Sequence, residues 1–177
     1  QCVFCDQRAI AAPEAPAPSA IPAVVRQAMP WAEGGQLAFY GGSFTAIPAE
    51  EQIAYLQAAQ PFLQAGLVKS LRISTRPDAI DGSILERLQR YGVRTVELGA
   101  QSMNDEVLRQ SGRGHTAEDV RRAAKRVKEA GFELVLQVMA GLPGDSRALC
   151  RQTAEQIAAL APDAVRIYPV CVLRGSP

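Results

Sequence analysis

The sequence predicts a parallel α/β protein whose strands gather into a partial barrel, and three observations lead there. Short apolar runs and stretches with helical spacing alternate from residue 21 to residue 168. Alternation of this kind implies parallel strands joined by right-handed crossover helices. Polar or glycine-rich segments then follow four of the strands: Gly41-Gly42-Ser43, Thr75-Arg76-Pro77-Asp78, Gly99-Ala100-Gln101-Ser102 and Gly141-Leu142-Pro143-Gly144. In parallel α/β folds those positions share the face where ligands bind. Loops converging on one site favour a barrel over an open doubly wound sheet, which alternation alone leaves possible.

The elements follow in order. An Ala/Pro-rich stretch over residues 11–22 reads as a loop, and residues 21–29 as a short helix. Residues 37–40 are apolar and end on Gly41-Gly42, a strand followed by a turn. Residues 48–65 place Ile53, Leu56, Ala59 and Leu63 on one helical face, and Gly66 closes the helix. A second strand over 70–74 is followed by a helix over 82–91, with Ile84, Leu85 and Leu88 apolar and Gly92 at its end. Residues 95–98 form a third strand. Asn104 caps a short helix to residue 110. Thr116, with Asp119 three residues on, caps a longer helix to residue 130, which Gly131 stops. A strand over 133–139, a helix over 146–160 and a strand over 164–168 complete the pattern.

Composition narrows the function classes. The 177 residues are 47% hydrophobic and 21% charged, enough for one domain with a sizeable core. Lys plus Arg number 19 and Asp plus Glu 18, a net charge of +1 that gives no footprint for nucleic acid or membrane. No apolar run reaches the ~18 residues of a membrane helix and no segment reads as a signal peptide, so a cytoplasmic protein without a membrane partner is expected. The basic residues Arg121, Arg122, Lys125, Arg126 and Lys128 share a helix with Glu118, Asp119 and Glu129, which reads as a solvated face before it reads as an RNA contact.

Four cysteines are too few for a secreted disulfide scaffold. Cys150 and Cys171 stand alone and read as buried structural thiols. Cys2-Val3-Phe4-Cys5 is different, because two thiolates at this spacing can bind zinc, act as a redox dithiol or ligate an iron–sulfur cluster. Zinc requires a second ligand pair, and His115 is the sole histidine. A thioredoxin-like motif should open a helix, whereas a proline-rich loop follows here. A cluster needs at least three cysteines.

The order of motifs carries a resemblance. Cys2-Val3-Phe4-Cys5-Asp6-Gln7-Arg8, followed by Phe39-Tyr40-Gly41-Gly42-Ser43-Phe44-Thr45, resembles the radical S-adenosylmethionine (radical SAM) superfamily. Its signature is Cys-x-x-x-Cys-x-x-Cys with an aromatic residue before the last cysteine. Cys2, Phe4 and Cys5 match the second half, and the first cysteine would stand four residues before Cys2, outside this chain. Glu97 to Ser102, Arg113-Gly114-His115-Thr116, Ala130-Gly131-Phe132 and Gly141 to Gly144 are similar to the branch holding the Elongator catalytic subunit and the oxygen-independent coproporphyrinogen oxidases. The resemblance implies a partial (β/α) barrel of the radical SAM type, with residues 1–177 forming a core domain truncated at both ends.

It also implies cofactors: a [4Fe–4S] cluster held by Cys2 and Cys5, and SAM, whose reductive cleavage gives a 5′-deoxyadenosyl radical. Phe4 would shield the cluster. Gly41, Gly42 and Ser43 would hold the methionine end, where glycines let the backbone approach closely. Ser74 takes a position where relatives often carry a carboxylate. Gln101 and Gln137 would meet the ribose, and Arg113 the cofactor carboxylate, a task suited to a guanidinium fork. Gly141 would lie beside the adenine. The resemblance implies no catalytic side chain, and His115 reads as a helix-start residue bonding locally. The expected function is radical SAM chemistry, with tRNA as the substrate that the branch suggests and flavodoxin or ferredoxin as the electron donor. A porphyrinogen-type small-molecule oxidase is the alternative within the superfamily. A barrel scaffold that has lost its cluster is the alternative outside enzyme chemistry.

Overall fold

The computed structural model describes Val3, residues 16–32 and residues 34–171. Its elements are α1 (Ile21–Ala32), β1 (Gln36–Phe39), α2 (Ala49–Gln64), β2 (Ser70–Thr75), α3 (Gly82–Arg90), β3 (Val93–Gln101), α4 (Asp105–Gln110), α5 (Ala117–Glu129), β4 (Glu133–Ala140), α6 (Arg147–Ala159) and β5 (Ala164–Pro169). Every expected helix and strand is present. The caps are as expected too: Asn104 Oδ1 accepts from Val107 N, and Thr116 and Asp119 form a reciprocal capping box. Two boundaries differ. α1 runs past Pro30, which lacks one N–H in the last turn, and β3 continues through Gly99-Ala100-Gln101, which read as punctuation.

The five strands are parallel and adjacent in chain order, β1-β2-β3-β4-β5. A doubly wound sheet reverses its strand order at a switch point; this one winds in a single direction, as a barrel does. The side chains show the curl. Neighbouring strands lie about 4.8 Å apart, so β1 and β5 would be about 19 Å apart in a flat sheet. Yet Arg166 on β5 donates from Nη1 to the hydroxyl of Tyr40, the residue after β1, at 3.1 Å. The sheet is therefore a half-barrel with a concave inner face.

The strand period separates the two faces. On β2, Leu71 and Ile73 point outward and are fully buried, while Arg72 and Ser74 point inward. Val96 and Leu98 on β3, and Leu134 and Leu136 on β4, continue the outer layer. Leu56 and Ala59 of α2, Leu85 and Leu88 of α3, Val120, Ala123 and Val127 of α5, and Ile157 of α6 join them in one core cluster. The outer side of β5 is bare: Ile167 is 70% exposed. At the end of the barrel nearer the strand N-termini, Gln36 donates from Nε2 to Ser70 Oγ (2.9 Å) and Thr95 Oγ1 (3.0 Å), and Thr95 donates to Glu133 Oε2 (2.8 Å). This hydrogen-bonded belt links β1 to β4 across the inner face there. Among the described residues, no helix is long and apolar enough to cross a membrane.

Candidate functional site

A cavity of about 840 Å³ opens on the inner face, toward the C-terminal ends of the strands. The loops singled out in the sequence meet there. Gly41, Gly42 and Ser43 line one side, Ser74 the end of β2, Gln101 the end of β3 and Gln137 the middle of β4; Arg113 enters from the loop after α4. Gly141, the residue after β4, is not part of the lining; its N–H is held by Asp145 Oδ2 at 3.1 Å. Cys2, Phe4 and Cys5 lie outside the described residues. Val3, between them, donates its N–H to Ser111 O at 3.2 Å. Val3 is thereby tied to the turn that leads into Arg113.

Gly41 has φ +105°, a conformation that side chains disfavour, so the first turn can present its backbone to the cavity. Gln101 is more unusual. It has φ +64°, is 6% exposed and sits at a register shift between Gly99 and Gln101. A non-glycine residue in this region costs about 1–3 kcal/mol and persists where its surroundings hold it. Those surroundings are visible. Ser102 N donates to Ala100 O at 2.8 Å, and Thr153 Oγ1 accepts from Met103 N at 3.2 Å. The strain delivers a buried amide to the cavity wall, and its Oε1 has no hydrogen-bond partner among the described residues. Arg113 lies beside it and donates from Nη2 to Gly99 O at 2.9 Å.

His115 departs from the sequence reading. It does not bond locally; it is 3% exposed, and Nε2 lies 3.0 Å from Ala100 O, fifteen residues back. A carbonyl only accepts, so Nε2 carries the proton. The ring thus braces the residue before Gln101. Burial holds its pKa below the ordinary value, and the charge of Arg113 pushes the same way. The fold therefore favours the neutral ring, and the unfolded chain takes up the proton first as pH falls through about 6.5. This contribution to stability is complete above that pH and is lost below it. Urea midpoints of the native chain are expected to drop between about pH 7 and 5.5; in His115→Gln that drop should shrink.

Five inner-face residues had no role assigned from the sequence, although Tyr40 and Glu97 lie within its motifs. Glu97 on β3 is 1% exposed and its carboxylate is met from three sides. Tyr40 donates its hydroxyl to Oε2 at 2.9 Å, Arg166 Nη1 reaches Oε1 and Oε2 at 3.1 and 3.2 Å, and Arg72 Nη2 lies 3.4 Å from Oε2. Arg166 also lies over the rings of Tyr40 and Tyr168, at 5.6 and 5.3 Å from their centroids. Burial raises the Tyr40 pKa, and its hydrogen bond to Glu97 adds to the rise, so the phenol stays protonated and donates. A charged residue flanked by Val96 and Leu98, within a strand between two helices, was the available signal.

The cysteines need correction as well. Cys171 is exposed and lines the cavity, because it stands at the end of the uncovered edge strand β5. Cys150 is half-buried and donates to Asp145 Oδ2 at 2.9 Å, a contact that raises its pKa. The basic face of α5 is occupied internally. Arg121 pairs with Glu118, Arg122 with Asp119 and Lys125 with Glu129, while Arg126 and Lys128 donate to backbone carbonyls.

The family model described as Radical SAM superfamily matches residues 1–157. The chain belongs to the radical SAM superfamily. Among its relatives, Protein YhcC of Escherichia coli (strain K12) is 30% identical over 141 residues, covering 77% of this radical SAM chain and 45% of that protein. The tRNA uridine(34) acetyltransferase of Methanocaldococcus infernus is 34% identical over 110 residues, covering 60% of this chain and 21% of its own length. The structure of Methanocaldococcus infernus Elp3 superposes with a TM-score of 0.73 at 26% identity, over 90% of this chain and 42% of that one. The radical SAM chain thus spans less than half the length of these relatives.

Proposed function

We propose that this chain is the core of an enzyme that binds SAM across the strand tips, cleaves it reductively at a [4Fe–4S] cluster and acts on tRNA. The observation that carries this reading is Gln101, a strained and buried amide with an unpartnered oxygen, beside Arg113 at the mouth of the cavity. The donor set fits the cofactor. The Arg113 guanidinium suits the SAM carboxylate. Carbonyls of the Gly41-Gly42-Ser43 turn suit its ammonium group, and the amides of Gln101 and Gln137 suit ribose hydroxyls. Cys2 and Cys5 would supply two thiolates, with a third cysteine expected four residues upstream.

When bound, the reduced cluster would supply the electron that cleaves SAM and yields the deoxyadenosyl radical. The chain's own residues have positioning tasks. The Val3 N–H bond to Ser111 O ties Val3 to the turn before Arg113, the residue that would meet the SAM carboxylate. The belt from Gln36 to Glu133 ties β1, β2, β3 and β4 together at the opposite end of the inner face. The names of the tRNA-acetylating relatives support tRNA as substrate, and a flavodoxin or ferredoxin would deliver the electron.

Gly99 is where a single added carbon would crowd both Gln101 and Arg113. A Cβ there would meet Gln101 Nε2 at 2.9 Å and Arg113 Nη2 at 3.5 Å. Gly99→Ala is expected to weaken SAM binding about tenfold in calorimetry, a loss of about 1.4 kcal/mol. The cluster assignment is tested by anaerobic reconstitution of the full-length protein. The native protein should be brown and hold about four irons, and Cys2→Ala or Cys5→Ala should be colourless. A native protein without iron would remove the proposal.

A further inference from the structure

The inner face carries a second polar station that the cofactor reading does not use. Arg166 spends one nitrogen, Nη1, on Glu97 and Tyr40. Its Nε and Nη2 make no hydrogen bond among the described residues. The guanidinium plane is fixed all the same: Glu97 holds one edge, and the rings of Tyr40 and Tyr168 contact it. Both rings and Arg166 line the cavity. A guanidinium held in this way presents its remaining N–H edge at low entropic cost, and that fork matches a planar oxyanion.

Charge and shape narrow the ligand. Arg72 and Arg166 oppose one carboxylate, Glu97, which leaves one positive charge at this station. A monoanion balances it, whereas a phosphate monoester near pH 7 brings nearly two charges. Beyond Arg72 and Glu97, toward the strand N-termini, Gln36, Ser70, Thr95 and Glu133 are bonded to one another. A phosphodiester is also a monoanion, but it is tetrahedral and carries chain on both sides. A carboxylate is planar, like the guanidinium, and ends its molecule.

We propose that Arg166, held by Glu97 and flanked by Tyr40 and Tyr168, binds the carboxylate of a small-molecule reactant beside the SAM subsite. The inference deepens the proposed function and rests on it for what occupies the strand tips. It adds a reactant with a terminal carboxylate, held on β5 beside Gln137, the register partner of Arg166.

The test is arginine modification by phenylglyoxal at low extent, mapped by peptide mass spectrometry. It uses the cluster-loaded full-length protein with saturating SAM. Sodium propionate, dimethyl phosphate and inorganic phosphate are compared with sodium chloride at equal ionic strength. Exposed Arg90 on α3 is the internal reference. Propionate is expected to slow modification of Arg166 saturably, by about threefold or more, without changing Arg90. Protection by dimethyl phosphate and not by propionate would overturn the inference in favour of a nucleic-acid backbone. Equal protection by all three anions would reduce the station to a generic anion contact and overturn it too, as would no protection beyond chloride. The same maps report on Arg113. If SAM leaves Arg113 unprotected while propionate protects Arg166, the cofactor reading falls and the carboxylate station stands.

Discussion

Glu97→Leu is expected to destabilise the fold by about 3 kcal/mol. The substitution removes the one carboxylate that Arg72 and Arg166 share and leaves the Tyr40 hydroxyl without its acceptor. Breaking a fully buried pair costs about 3–5 kcal/mol. Both arginines keep some access to water, 23% and 42% by side chain, which places the effect at the lower end. Urea unfolding reads the loss as a shift in midpoint at constant slope. Combining Glu97→Leu with Arg166→Leu should recover about 1 kcal/mol, because one stranded cation is gone. A loss below about 0.5 kcal/mol in the single variant would show that the cluster is surface-like in its energetics.

The second large effect concerns Arg113. Arg113→Ala should weaken SAM binding by about 30-fold, near 2 kcal/mol, while the absorbance of the cluster is unchanged. The expectation follows from the fork geometry of a charge-assisted pair and from the place of Arg113 beside Gln101 on the cavity wall. Arg113→Lys should recover only part of the affinity, because an ammonium group is a point charge. Thermal melting separates this from a folding defect, since Arg113 also donates to Gly99 O. Unchanged affinity in Arg113→Ala would remove it from the cofactor site.

Much of this could be read from the chain. Strands and helices were legible because each segment carries its own period, and because Gly66, Gly92 and Gly131 adopt positive φ where helices stop. The convergence of loops was legible because parallel topology puts all strand ends on one face. The curl was less so, since it depends on strand order, which no local pattern encodes. Gln101 was visible as a polar residue in a motif, but its positive φ was not; that conformation comes from Thr153 and His115, far away in sequence. The role of Glu97, which opens a quoted motif, was hidden for a related reason. Its partners Tyr40, Arg72 and Arg166 come from three other parts of the sheet and meet only because the sheet bends. Cys171 is exposed despite its apolar sequence neighbourhood, because β5 is an uncovered edge among the described residues.

In the proposed function the nucleoside cofactor lies across the strand tips and is broken there by an electron from the cluster. The most direct measurement of that cleavage is 5′-deoxyadenosine, quantified by chromatography after full-length, anaerobically reconstituted protein is incubated with SAM and dithionite. It is expected to form in the native protein and to be absent in Cys5→Ala. An iron-loaded native protein that leaves SAM intact under strong reductant would rule out reductive cleavage at the strand tips.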